Sequence, residues 1–169
     1  VNRRRPANRL ALSKILLLED AYRVIDGHKA RGDRVVFTNG CFDLIHPGHT
    51  RYLADARKLG DVLIVAVNSD FSVRSLKGDG RPIFPQEERA ELLAALEAVD
   101  YVTIFDDPTP QAVIARMVPH VLVKGAGWAP NEIVGRAEVE AGGGRVVSMP
   151  AVPGFSTTAI VSAVQKIYY

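Results

Sequence analysis

"RVVFTNGCFDLIHPGHTRYLADARKLGDVLIVAVN", residues 34 to 68, contains a complete strand–helix–strand unit. Its ends, 34–40 and 61–68, are short β-branched runs of the kind that parallel strands buried on both faces show. Between them, residues 47–59 follow helical spacing, and Pro47 stands at a first helical position, where a missing N–H is tolerated. Two strands joined through a helix lie parallel in one sheet, with a right-handed crossover.

The alternation continues outward from this unit. "DYVTIF" (100–105), "HVLVKG" (120–125) and "RVVSMP" (145–150) read as further strands, with helical patterns over 86–98, 109–117, 131–141 and 157–167. Upstream, apolar residues at 15, 16, 18, 21, 22 and 25 predict an amphipathic helix capped by Ser13, running to about Ala30 and stopped by Gly32 and Asp33. "AGGGR" (141–145) reads as a turn. The expected fold is α/β: a doubly wound, parallel five-stranded sheet with an extra N-terminal helix. Residues 1–12, rich in arginine and poor in apolar groups, are expected to form a basic arm, and 13–169 a single domain. Ligands in such sheets bind beyond the carboxyl ends of the strands.

With 47% hydrophobic residues in 169, the chain can bury one domain-sized core. Twenty-one basic against nineteen acidic residues leave a net charge of +2, so no global field favours nucleic acid or an anionic membrane. An anionic ligand must be held locally. The single cysteine, Cys41, precludes an internal disulfide and suits a reducing compartment, so cytoplasm is expected. No apolar run approaches the roughly 20 residues of a membrane-spanning helix, and the opening segment does not read as a signal peptide.

After the first strand, closed by Gly40, His46 and His49 stand three apart at the start of a helix, where free N–H groups and the macrodipole favour an anion. Both rings are expected to face outward, with Gly48 admitting a phosphate. The plainer alternative has one histidine capping the helix and the other packing. A zinc site would need more than Asp43 and the distant His28 and His120 supply. A second anion contact is read in "PGFSTTAIV" (153–161): Ser156 suits an N-cap, and capping accounts for one hydroxyl but not for Thr157 and Thr158 as well. Lys124 ends the fourth of these strands. Lys77 and Arg81 lie in "SLKGDGRPIFPQEERAELL" (75–93), read as a basic, glycine-rich loop able to close over a phosphorylated substrate, followed by a helix whose Gln86, Glu87 and Glu88 suit a first turn.

Gly40, Phe42, Asp43, His46, Gly48 and His49 complete the pattern "GxFDxxHxGH", and the chain resembles the nucleotidylyltransferase superfamily. Read with "VAVNSDFSVRSLKGDGRPIFPQEERAELLAAL", "VLVKG" and "GFSTTAIV", it resembles the D-glycero-β-D-manno-heptose 1-phosphate adenylyltransferase family, from about Lys14 to Val164. That resemblance implies ATP and a sugar 1-phosphate as substrates, ADP-heptose and pyrophosphate as products, Mg2+ accompanying the ATP with no carboxylate cage of its own, and a homodimer. It implies catalytic roles for His46, His49 and Lys124. Nucleotide contacts fall on Thr38, Asn39, Gly40, Cys41, Phe42, Asp43 and Gly48, and on Gly125, Trp128, Gly154, Ser156, Thr157 and Thr158. Substrate contacts fall on Asn68, Asp70, Lys77 and Arg81. Cys41 is expected to pack behind the strand end, and Asp43 to touch the metal or a histidine. Two positions depart from the pattern: Gly127 stands where relatives commonly carry an acid, and Ala151 where glycerol-phosphate cytidylyltransferases carry arginine. Alternatives are a glycerol-3-phosphate cytidylyltransferase, a flavin-nucleotide synthase, a pantetheine-phosphate adenylyltransferase, or a nucleotide sensor without catalysis. No "GxGxxG" follows the first strand, which argues against dinucleotide binding.

Overall fold

A computed structural model describes residues 9–125, 127, 132–150 and 152–168. Six parallel strands form one sheet, β1 (Ile15–Leu16), β2 (Val35–Gly40), β3 (Val62–Asn68), β4 (Tyr101–Phe105), β5 (Val121–Lys124) and β6 (Arg145–Ser148), in the spatial order β1-β4-β3-β2-β5-β6. From β2 the chain steps to β3 and β4 on one side, then returns to place β5 and β6 on the other. The switch point therefore lies between β2 and β5, where a doubly wound sheet opens a crevice. Pairing there is short: β2 meets β5 in register at Val36–Val121 and Phe37–Leu122, whereas β2 and β3 stay paired from Val35–Val62 to Gly40–Val67.

Strand alternation sorts the core into two layers. Leu63, Val65 and Val67 of β3 pack with Leu53 of α3 (Pro47–Arg57) and Leu93 of α5 (Gln86–Ala94). Val62, Ile64 and Ala66 turn the other way, toward Ile25 of α2 (Leu18–Ala30), Ile114 of α6 (Gln111–Met117) and Val139 of α7 (Arg136–Ala141). A strand buried on both faces carries apolar residues throughout, which is why 62–67 read as an unbroken run.

Four expectations change. The helix foreseen from Ser13 begins at Leu18, because Ile15 and Leu16 join the sheet as a sixth strand opposite Val102 and Thr103. Lys14 anchors that edge: its carbonyl accepts from the Val102 N–H, and Nζ donates to the carbonyls of Leu96 (3.3 Å) and Val99 (2.7 Å). Within the stretch expected as an arm, α1 (Arg9–Leu12) forms a helical turn with Ala11 buried; residues 1–8 lie outside the described residues. Lys77 is the last residue of a helix, α4 (Asp70–Lys77), rather than part of a loop; Ser69 caps it by accepting from the Ser72 N–H. The pattern over 131–141 yields helix α7 only from Arg136. Gly142 and Gly143 form the expected turn into β6. No described helix is long and apolar enough to cross a membrane.

Candidate active site

Above the carboxyl ends of the strands lies a cavity of about 760 Å³, bordered by the turn after β2, the N-termini of α3 and α8 (Thr157–Tyr168), the ends of β3 and β5, and the segments after β4 and β6. Its centre is the stretch from Gly40 to His49. His46 is the N-cap of α3, and its Nδ1 accepts from the His49 N–H at 3.3 Å. That bond leaves the proton of a neutral His46 on Nε2, as a donor for a ligand. The two imidazoles stack at 3.8 Å between centroids, and Phe42 meets His49 edge-on at 5.3 Å. Both halves of the plainer reading, one histidine capping and one packing, are therefore present, and His49 is more buried than the outward-facing expectation held. Both rings nevertheless line the cavity, and His49 Nδ1 is buried without a hydrogen-bond partner.

Burial, reinforced by His46 alongside, pushes His49 down to about 4 against the opposing pull of the Leu44 carbonyl; burial also lowers His46. Near neutral pH both rings are uncharged hydrogen-bonding groups. Gly48 permits this arrangement, because a Cβ there would come within 2.9 Å of the His46 ring and 3.1 Å of Phe155 Cβ. Phe155 closes the column over His46, under the guanidinium of Arg51 at 5.2 Å.

The positive charge comes from lysines and helix ends. Lys124 crosses the switch point to donate to Asn39 Oδ1 at 2.6 Å, and burial pushes its ammonium down to about 8, still mostly protonated at neutral pH. Lys77 borders the cavity from the end of α4. Ser156 caps α8, its Oγ accepting from the Ala159 N–H at 3.0 Å. Thr157 and Thr158 line the cavity in the first turn, so the two hydroxyls that capping left over face the same space as the α8 N-terminus. Two helix N-termini converging on one cavity favour an anion there.

Of the expected site residues, Asn39, Gly40, Cys41, Phe42, Asp43, His46, Gly48 and His49 meet here with Asn68, Lys77, Lys124, Gly125, Ser156, Thr157 and Thr158. Cys41 borders the cavity instead of packing behind the strand, its thiol raised by burial. Thr38, Asp70, Arg81 and Gly154 do not line it. Thr38 bonds the Tyr52 hydroxyl at 2.7 Å, and burial pushes that phenol up to about 12. Gly154 forms the turn before α8 at φ +83°. Trp128 and Ala151 lie outside the described residues; Gly127, at φ +100°, holds a conformation that favours glycine.

Asp43 and Arg81 differ most from expectation. Asp43 is buried, with Oδ2 accepting from Arg81 at 2.6 Å and Oδ1 from the Ile83 N–H at 2.6 Å. Burial opposes ionisation, but these bonds and the Phe84 amide outweigh it and hold the carboxyl below its ordinary value. It bonds neither histidine, and Arg81 serves it instead of a ligand. Asp70 is likewise committed to Arg89. No group of three His, Cys, Asp or Glu side chains that could hold a metal ion is found among the described residues. Arg89 was not foreseen. Fully buried, it donates to the carbonyls of Cys41 (2.5 Å) and Phe84 (3.0 Å) and to Asp70 Oδ1 (2.8 Å). A signal existed: Arg89 precedes Leu93 by four residues and so shares its core-facing side.

The family model described as cytidylyltransferase-like matches residues 37–163, spanning the histidine pair, Lys124 and the hydroxyl cluster. The chain belongs to the cytidylyltransferase-like family. Among proteins similar to it, bifunctional protein HldE of Pelobacter propionicus is 52% identical over 145 residues, 86% of this chain and 30% of that protein. Bifunctional protein HldE of Cronobacter sakazakii is 55% identical over 138 residues, 82% of this chain and 29% of its own length. The chain thus spans about 30% of the curated relatives it matches. A solved structure, the lipopolysaccharide core biosynthesis protein from Thermoplasma volcanium, superposes with a TM-score of 0.58 at 26% identity, covering 72% of this chain and 98% of that one. Membership of this family agrees with the nucleotidylyltransferase resemblance drawn from the "GxFDxxHxGH" residues.

Proposed function

We propose that the chain transfers the adenylyl group of ATP to a heptose 1-phosphate, releasing pyrophosphate and forming ADP-heptose. An oxygen of the sugar phosphate attacks the α-phosphorus in line; the new P–O bond forms as the bond to the β-phosphate bridge breaks, and the electron pair leaves with pyrophosphate. No covalent enzyme intermediate is involved. Catalysis then rests on positioning and on donors aimed at the developing charge. The observation that carries this reading is the convergence on one cavity of His46, His49, Lys124 and the N-termini of α3 and α8.

His46 donates through Nε2–H. His49 lines the same cavity as an uncharged ring stacked on His46, so it meets the triphosphate without a counter-ion that would have to be displaced. Lys124 supplies charge from the far side of the switch point, and Thr157 and Thr158 hold the leaving end. Magnesium, in this proposal, is carried in by the triphosphate oxygens and supplies charge neutralisation there. The heptose reading draws on the bifunctional HldE relatives and on the lipopolysaccharide core biosynthesis neighbour.

Pyrophosphate release should be measured with ATP and with CTP, each against heptose 1-phosphate, glycerol 3-phosphate and riboflavin phosphate. Release with ATP and heptose 1-phosphate well above every other pair is expected. A preference for CTP or for another acceptor reassigns the reaction within the family, and nucleotide binding without turnover on any acceptor makes the chain a sensor.

A further inference from the structure

The cavity has two ends, on opposite sides of β2. One, at the end of β5, holds Lys124 and Gly125. The other, over β3 and β4, holds Asn68, Lys77 and the segment Pro108–Pro110. At this second end a short polar relay fixes one atom's character. Ser72 Oγ lies 3.1 Å from the carbonyl oxygen of Asp107, which can only accept, so the serine proton points there. Toward Asn68, 2.9 Å away, the same Oγ is therefore an acceptor, and the amide must present Nδ2 to it. This orientation follows from the network of partners, which is the sound basis for assigning an amide. Nδ2 is thereby engaged and Oδ1 is left over. Asn68 is only 4% exposed and borders the cavity, and no described residue donates to Oδ1.

A nearly buried amide oxygen displayed in this way accepts hydrogen bonds and offers none. It suits a hydroxyl and repels a phosphate oxygen, which Lys77, bordering the same cavity, can receive instead. Resting on the adenylyl-transfer reading, we infer that Asn68 Oδ1 accepts a hydrogen bond from a sugar hydroxyl of the phosphorylated acceptor and so selects polyhydroxylated acceptors. Ser72 and the Asp107 carbonyl are positioning groups that keep the amide from flipping. A flipped amide would set its oxygen against Ser72 Oγ and its N–H₂ toward the ligand, and Ser72 would have to leave Asp107 to restore a bond.

The test compares wild type, Asn68→Leu and Ser72→Ala at saturating ATP, using heptose 1-phosphate and its monodeoxy analogues. ATP binding, read from the ATP-induced rise in Tm, checks that each variant is folded. Asn68→Leu should lower kcat/KM for heptose 1-phosphate about ten- to hundredfold, the scale of losing one buried hydrogen bond. Ser72→Ala, which touches no substrate, should lower it less, with ATP binding intact. For wild type, one deoxy analogue should show the same loss, and on that analogue Asn68→Leu should cost nothing further. Turnover by Asn68→Leu equal to wild type, or an undiminished cost of that variant on every deoxy analogue, overturns the inference while leaving adenylyl transfer standing. If Asn68→Leu does not fold, Ser72→Ala and the wild-type analogue series decide: no loss in either overturns it. A wild type inactive with every sugar phosphate removes the adenylyl-transfer reading, and this inference with it.

Discussion

His49 concentrates the tension between stability and chemistry at a single side chain. Its ring is held neutral by burial at a position whose free value would be about 6.5. Above that pH the ring is neutral in both folded and unfolded chains. As pH falls from about 6.5 toward 4, the unfolded chain takes up a proton that the native ring refuses, so stability declines across this window and the contribution is lost below about 4. The lowered His46 and His120 add to the same slope. His49→Gln should flatten it in pH-dependent chemical denaturation, and should cut kcat about 10²–10³-fold, as loss of a preorganised donor does. An unchanged kcat with a flattened slope would make the ring a packing residue only. The histidines, their spacing and Gly48 were legible because they sit within one turn of helix. The partners of Asp43 were not, since Arg81 and Ile83 reach it from 38 and 40 residues away, and no local spacing encodes such a meeting.

At the level of elements, the turn between β2 and α3 is built under strain. Phe42 holds φ +47°, a left-handed conformation costly for a bulky residue, and such a conformation persists only where its surroundings over-determine it. Arg89 grips the Cys41 carbonyl just before Phe42; Arg81 and the Ile83 amide grip Asp43 just after it. Helix α5 and the 78–84 segment are thus clamps on the turn that carries Asp43 into the cavity. Arg89→Met should destabilise the fold by about 1–3 kcal/mol, because it leaves the Cys41 and Phe84 carbonyls without their donor, while the Asp70 carboxylate, partly exposed, can turn to water. Urea unfolding would measure this, and a loss below about 1 kcal/mol would show the clamp to be incidental. The strands and most helices were legible from period alone. The edge strand β1 was not: two residues cannot display a period of two, and Ile15 and Leu16 also fit the helical spacing of the apolar residues at 18, 21, 22 and 25. Helix α4 escaped for a related reason, its few apolar residues being followed directly by the glycines at 78 and 80.

For the whole molecule, the sheet's topology placed the cavity before any side chain was considered: alternating strands and helices imply a reversal of winding, and the reversal sets the crevice. What alternation could not give was which strand edges flank it, because strand order depends on crossovers that leave no local mark. The short pairing between β2 and β5 has a mechanical outcome. Beyond Phe37 and Leu122 the two halves part like the pages of a book bound only near its lower corner, and the Asn39–Lys124 bond is a clasp across the open margin. A nucleotide seated there would bridge both pages and stiffen the thinner one, β5 with β6. Amide hydrogen exchange in residues 121–124 and 145–148 should accordingly slow when ATP is added and quicken in Asn39→Ala. Exchange in 62–67 should barely change, since those amides belong to the thick leaf, stitched on both sides.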